Sequence, residues 1–185
     1  MQALSAALVR RARAHMRRGG VIAYATESCF GLGCNPSNER ALRAVLRIKR
    51  RPKSKGLIVI ADRVERFSML LRPIVENDRK RIEATWPGPH TWLIPVKARA
   101  KRALRGKHVA LAVRVTAHAD AKILCARLGM ALVSTSANRA GQQPIKTTRE
   151  CLRRMGKTVM VIGGKIGARK IPSTIQDLRS GKILR

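Results

Sequence analysis

Acidic residues are scarce in this chain. Ten Asp and Glu stand against forty Lys and Arg in 185 residues, a formal charge of +30. So few carboxylates argue against a paired-carboxylate hydrolase. Most of them fall in segments that read as surface helices; Glu27 and Asp177 are the exceptions. Aromatics make up only 3% of the chain, so Leu, Ile, Val and Ala must fill the core. The four cysteines (Cys29, Cys34, Cys125, Cys151) include no C-x-x-C pair, and no histidine lies near them at metal-ligand spacing. They read as reduced thiols of a cytosolic protein. Cys29 or Cys34 as a nucleophile lacks an evident partner histidine. No G-x-x-x-x-G-K-[ST] loop occurs. Gly31-Leu32-Gly33 follows an apolar stretch, but Pro36 stands where a dinucleotide fingerprint needs its third glycine. There is no G-x-S-x-G elbow. The N-terminus has no apolar leader, and no run approaches about 18 apolar residues. The expected location is the cytosol, away from membranes.

What is present is a chain that is 45% hydrophobic, enough for one core and one domain over residues 1–185. A charge of +30 repels itself in the compact state. A polyanion relieves that repulsion, and RNA is the first candidate. Contact with about 6–10 phosphates would weaken binding roughly 10³–10⁵-fold between 50 and 200 mM salt. The charge is spread along the chain, so it names a class of partner and not a chemistry.

Leu4, Leu8, Ala12 and Met16 recur every four residues, which predicts an amphipathic helix ending at Gly19-Gly20. Val21 to Ala25 reads as a strand. Thr26 to Pro36, with two glycines, an Asn and a Pro, reads as irregular. Ser37 is the expected N-cap of a helix that turns Leu42, Val45 and Leu46 inward, with Lys49 at the end of that stripe. Pro52 stops it. Leu57 to Ile60 reads as a strand, Asp62 as the cap of a short helix through Phe67, and Ile74 to Thr85 as a longer helix. Trp92 to Val96 and Val109 to Val115 read as strands, and Lys122 to Leu128 as a helix. A strand over Ala131 to Ser134 precedes a polar loop, Thr135 to Pro144. A helix (Thr148 to Met155), a strand (Val159 to Ile162) and a short closing strand near Ile183-Leu184 complete the expectation. Alternating helices and apolar strands predict an α/β sheet covered on both faces.

Three polar stretches follow apolar ones: "TESCFGLG" (26–33), "VSTSAN" (133–138) and "IPSTIQD" (171–177). In α/β sheets ligands sit outside the carboxyl ends of strands. Hydroxyls, an amide and backbone N–H groups there can hold phosphate or carboxylate oxygens. Arg47, Lys49, Arg50, Arg51, Lys53 and Lys55 crowd together with no acid among them and supply cations. An anion pocket without a protein nucleophile suits phosphoryl or nucleotidyl transfer, where catalysis is positioning plus charge stabilisation. Each stretch alone has a plainer reading. A Ser-Thr-Ser run also fits a capped turn, and a basic cluster also fits a solvated face or an RNA patch.

Taken in order, "VIAYATESCFGLGCNP", "LRIKRRPKSKGLIVIA", "WPGPHTWLIP", "LAVRVTAH", "LVSTSANRAGQQP" and "IPSTIQDL" resemble the YrdC/Sua5 family of threonylcarbamoyl-AMP synthases, in its short single-domain form. The resemblance implies a twisted mixed β-sheet flanked by helices, with a basic concave face. It implies that L-threonine and bicarbonate form a carbamate that attacks the α-phosphate of ATP. Threonylcarbamoyl-AMP and pyrophosphate result, and partner transferase proteins pass the group to A37 of tRNAs reading ANN codons. By position, Lys49, Arg51 and Lys55 would bind ATP, with Lys49 and Arg51 stabilising charge in the reaction. Ser134, Ser136, Asn138 and Ser173 would face the nucleotide, and Thr26, Ser28 and Arg114 the threonine. Mg²⁺ would arrive with the triphosphate, with no metal site in the protein itself. One departure stands out: Ala25 occupies a position where the family usually has proline. The competing reading is a non-catalytic module for tRNA or double-stranded RNA on the same fold.

Overall fold

A computed structural model describes residues 4–98 and 100–185. Strands β1 (Ile22–Ala25), β2 (Phe30–Gly33), β3 (Ile58–Ala61), β4 (His90–Pro95), β5 (Ala110–Val115), β6 (Leu132–Ser136), β7 (Met160–Gly163) and β8 (Thr174–Asp177) form one eight-stranded sheet. Its order is β7-β1-β2-β6-β3-β5-β4-β8. The sheet is mixed: β1 runs parallel to β7 and antiparallel to β2, while β3 runs parallel to β5 and antiparallel to β6.

Successive side chains of a strand face opposite sides, and here both sides are apolar. Ala23 and Ala25 of β1, Val59 of β3 and Val133 of β6 enter one core, whereas Ile22, Tyr24, Ile60 and Leu132 enter a second. Helices α1 (Ala6–Arg17) and α5 (Ala119–Leu128) cover the second core with Val9, Ala12, Met16, Leu124 and Leu128. Helices α2 (Glu39–Lys49) and α6 (Thr148–Met155) cover the first with Leu42, Val45, Cys151 and Met155. Each fully buried Leu or Val of this kind contributes about 1.5–3 kcal/mol. Helices α3 (Glu76–Glu83) and α4 (Arg102–Arg105) add Ile82 and Leu104. Among the described residues no helix is long and apolar enough to cross a membrane.

Five expectations are corrected. The stretch read as irregular contains β2, whose glycines pair with β1 and β6 because the neighbours come close. A Cβ on Gly33 would meet the Tyr24 ring at 2.6 Å and the Val133 carbonyl at 3.1 Å. Asn38 caps α2 instead of Ser37, its Oδ1 accepting from Ala41 N at 3.0 Å. Asp62 caps nothing; it pairs with Arg66 at 3.1 Å beside a 3₁₀ turn over Val64–Phe67. The "IPSTIQD" stretch is partly a strand, β8, held at the sheet edge by β4. The closing residues reach β8 only through a bridge between Gln176 and Ile183 and the hydrogen bonds beside it.

Candidate active site

The ends of these elements converge on one cleft of about 550 Å³. β1 delivers Thr26 and Ser28, α2 ends at Lys49, and Arg51 and Lys55 follow. β5 carries Arg114, β6 carries Ser134 and Ser136, and Asn138 and Ser173 come from the loops after β6 and before β8. All ten line the cleft. So do Lys146, Arg169, Lys170 and Arg185, which makes eight cationic side chains against one carboxylate, Glu27.

Lys49 is only 5% exposed. The apolar stripe of α2 carries it inward, and its Nζ donates to Ser136 O at 2.6 Å, Asn138 O at 3.1 Å and Asn138 Oδ1 at 3.1 Å, with Ser136 Oγ at 3.3 Å. The ammonium therefore clamps the Ser-Ala-Asn turn after β6. The turn is tightened further by Ser136 Oγ donating to Asn138 Oδ1 at 2.5 Å. Among the described residues no carboxylate pairs with Lys49. Burial, then the neighbouring Arg51 charge, push its pKa down from 10.5 to about 8.

Arg50, just past the end of α2, has a left-handed backbone, φ 52°. The chain reverses there, so Arg50 is exposed and Arg51 turns into the cleft. One terminal nitrogen of Arg51 donates to Gly56 O at 2.9 Å, while its buried Nε has no partner. Burial lowers its pKa. Lys55 is exposed at the rim.

Arg114 donates to Glu27 Oε2 at 3.0 Å, and Thr116 Oγ1 donates to Glu27 Oε1 at 2.7 Å. Both partners of this ion pair are largely buried, with side chains 9% and 14% exposed. The Nε of Arg114 is again buried and unpartnered. Thr26 Oγ1 donates to Cys29 O at 2.7 Å, which closes the turn around Ser28. Ser173 shares a hydrogen bond of 2.9 Å with Thr91 and accepts from Arg185 at its carbonyl, 3.2 Å. The Arg185 pKa is lowered by burial and then by the charges of Arg114 and Arg51.

Sequence reasoning passed over Lys146, Arg169, Lys170 and Arg185, and watched Glu27 without giving it a partner. The one available signal was the basic character of the last segment. What brings Arg185 to Ser173 is the pairing of the chain end with β8, a long-range event that no local pattern announces.

Chemically, the charge of the cleft suits anions, and among the described residues none of its serines, threonines or its cysteine has a histidine beside it in the lining to activate it. Burial pushes the Cys29 thiol pKa up, away from the reactive thiolate. Cys34 is fully buried, its pKa pushed up to about 12. Among the described residues no cluster of three His, Cys, Asp or Glu side chains could ligate a metal ion.

The Sua5_yciO_yrdC family model, described as "Telomere recombination", matches residues 14–185. A relative from Chromobacterium violaceum, named threonylcarbamoyl-AMP synthase, is 55% identical over 178 residues, 96% of this chain and 92% of that one. A double variant of P. abyssi Sua5 superposes with a TM-score of 0.87 at 28% identity, covering 96% of this chain and 55% of that one. P. abyssi Sua5 complexed with L-threonine gives 0.83 at 28% identity, covering 92% and 50%. The chain thus spans about half the length of those two Sua5 chains. By the extent of the family match and the identity to its relatives, the chain belongs to the Sua5/YciO/YrdC family.

Proposed function

We propose that the cleft makes threonylcarbamoyl-AMP and pyrophosphate from L-threonine, bicarbonate and ATP, as a nucleotidyltransferase. The observation that carries this is the set of eight cations around one acid, with two buried guanidinium nitrogens unpartnered and, among the described residues, no histidine in the lining to activate a serine or cysteine. Relatives named threonylcarbamoyl-AMP synthase and a family structure complexed with L-threonine support the choice of substrates.

The threonine amine nitrogen bonds to the bicarbonate carbon, a carbon–oxygen bond breaks, and water leaves, which gives a carbamate. One carbamate oxygen attacks the α-phosphorus of ATP, the bond from that phosphorus to the bridging oxygen breaks, and pyrophosphate leaves with the electron pair. The substrate supplies the nucleophile. Lys49 and Arg51 neutralise the charge that develops at the phosphates, and Lys55 holds the outer end of the triphosphate. Ser134, Ser136, Asn138 and Ser173 bind nucleotide or carbamate oxygens. Arg114, fixed by Glu27, takes the threonine carboxylate beside Thr26 and Ser28. Mg²⁺ enters on the triphosphate, because Glu27 is the cleft's one carboxylate and is bonded to Arg114 and Thr116. The acyl-adenylate then passes, in the cytosol, to transferase proteins that modify tRNA.

The test is pyrophosphate release from ATP with threonine or bicarbonate omitted in turn, and capture of labelled acyl-adenylate from labelled bicarbonate. Release must need both co-substrates. Equal release without threonine overturns the reading. A non-catalytic RNA module has no specific observation in its favour.

A further inference from the structure

β4 buries a hydroxyl in the middle of the sheet, which costs free energy unless the group is hydrogen-bonded. Trp92 and Ile94 of this strand enter the first core, so Thr91 faces the opposite side. It is fully buried, at 0% exposure. β8 runs parallel to β4, with His90 beside Thr174 and Thr91 beside Ile175, and Thr174 N donates to Pro89 O at 3.1 Å. That register brings Ser173, just before β8, against Thr91, and the two hydroxyl oxygens are 2.9 Å apart. Ser173 lines the cleft, while Thr91 stands behind it, outside the lining. Among the described residues the Thr91 hydroxyl has no other partner. Arg185 donates to Ser173 twice, from Nη2 to Oγ at 3.4 Å and from Nε to the carbonyl at 3.2 Å.

The proton between two hydroxyls can come from either one, and their surroundings decide which. The Thr91 O–H has one acceptor within reach among the described residues, Ser173 Oγ. Were Ser173 the donor, the Thr91 proton would be left unpaired in the interior, which is costly. We infer that Thr91 is a positioning residue: it donates to Ser173 Oγ and so turns the Ser173 proton outward, which makes Ser173 a hydrogen-bond donor to an anionic oxygen of the substrate in the cleft. Ser173 Oγ then accepts from Thr91 and from Arg185, which occupies both of its lone pairs. Its own proton has no acceptor among the described residues, and the cleft is its open side. The oxygen it meets, of a phosphate or a carboxylate, lies beside the Arg185 guanidinium as well, so the bond is charge-assisted. A β-branched side chain is stiff at χ1, which holds the Thr91 hydroxyl on its target. The inference rests on the reading of the cleft as a substrate site and adds to it a residue that touches no substrate.

The experiment compares the full chain with Thr91→Val, which keeps the shape and removes the hydroxyl, and Thr91→Ser, which keeps the hydroxyl and removes a buried methyl. Ser173→Ala and the double variant Thr91→Val with Ser173→Ala complete a cycle. Calorimetry reads the binding of ATP alone and of L-threonine alone, pyrophosphate release reads KM and kcat, and thermal melting reads the fold. Thr91→Val should bind one of the two ligands about 10-fold more weakly. The KM for that ligand should rise equally, with kcat within about twofold of wild type, because the bond is made before the reaction as well as during it. Weaker ATP binding identifies the oxygen as phosphate, weaker threonine binding as carboxylate, and either supports the inference. Thr91→Ser should melt at a lower temperature but keep the wild-type KM. On the Ser173→Ala background, Thr91→Val should add nothing to KM. Three results overturn the inference: Thr91→Val binding both ligands as tightly as wild type or more tightly, as it would if Ser173 were the donor; Thr91→Ser weakening binding as much as Thr91→Val; or additive effects of the two substitutions in the double variant. A wild-type chain that releases no pyrophosphate, with binding still weakened by Thr91→Val, would count against the synthase reading and support the donor assignment. A wild-type chain that binds neither ligand would overturn both.

Discussion

Two hollows of nearly equal size open at the end of β1. One is the cationic cleft, about 550 Å³; the other, about 520 Å³, lies between α1, α5 and β7. Tyr24 and Ala25 line the second, and Thr26, the next residue, lines the first. Leu4, Leu8, Ile123, Leu124 and Ile162 wall the second hollow, where, among the described residues, Asp120 and Arg127 are the only charged ones. Volume therefore says little about chemistry. The cleft differs because it concentrates like charge that the fold does not neutralise. Burial and Arg51 depress Lys49, and burial, Arg114 and Arg51 depress Arg185. Such a site costs stability when empty and gains most when an anion arrives.

That contrast can be broken most directly at Lys49. Lys49→Ala, or Arg51→Ala, should lower turnover at least about 10²-fold with the fold intact, by analogy with loss of one preorganised charge-stabilising donor. Turnover and thermal melting measured together check this, and near-wild-type rates would leave the cleft no more special than its apolar neighbour. The pH dependence comes next in size. Cationic Lys49 is lost as pH rises through about 8, so kcat/KM should fall about tenfold per pH unit above that point. Bound triphosphate favours the cation, so the kcat profile should break at a higher pH. Stability moves the opposite way. The unfolded lysine keeps its proton to 10.5, so between about 8 and 10.5 the unfolded chain binds more protons and the Lys49 contribution to stability rises with pH. Chemical denaturation across that window reads the sign.

Smaller effects sharpen the comparison. Glu27→Gln should raise the KM for threonine about 10-fold, roughly one charge-assisted hydrogen bond, and leave kcat nearly unchanged. A loss confined to kcat would place Glu27 in the chemistry and not in positioning Arg114. In the apolar hollow, Ile123→Gln should change stability by no more than about 0.5 kcal/mol, because the side chain is 40% exposed, and should leave turnover alone. A fall in pyrophosphate release there would join the two hollows into one functional unit.

Much of this architecture is legible before folding. The stripe Leu42, Val45, Leu46 predicts both α2 and the inward turn of Lys49, because a period of 3.6 residues leaves that side chain no other direction. The apolar run at Leu57 to Ile60 predicts β3. β2 is hidden because Gly31 and Gly33 look like loop residues; their real cause is the close approach of Thr26, Tyr24 and β6, a matter of three segments at once. β8 is hidden because an edge strand of polar residues has no alternation to read, and β4 alone defines it. The ten candidate residues come from local motifs, and one cleft gathers them. Arg185 and Lys146 carry no motif and join the cleft only through tertiary pairing and packing.

The left-handed residue at Arg50 has one more consequence. A non-glycine side chain in that conformation costs about 1–2 kcal/mol, and Arg50 meets it at the seam between an outward arginine and an inward one. Sorting of neighbouring guanidiniums thus depends on a backbone dihedral and not on side-chain identity. Deleting a single residue at the seam would slip the frame and swap inner for outer charges, whereas Arg50→Gly would ease the bend and keep the assignment.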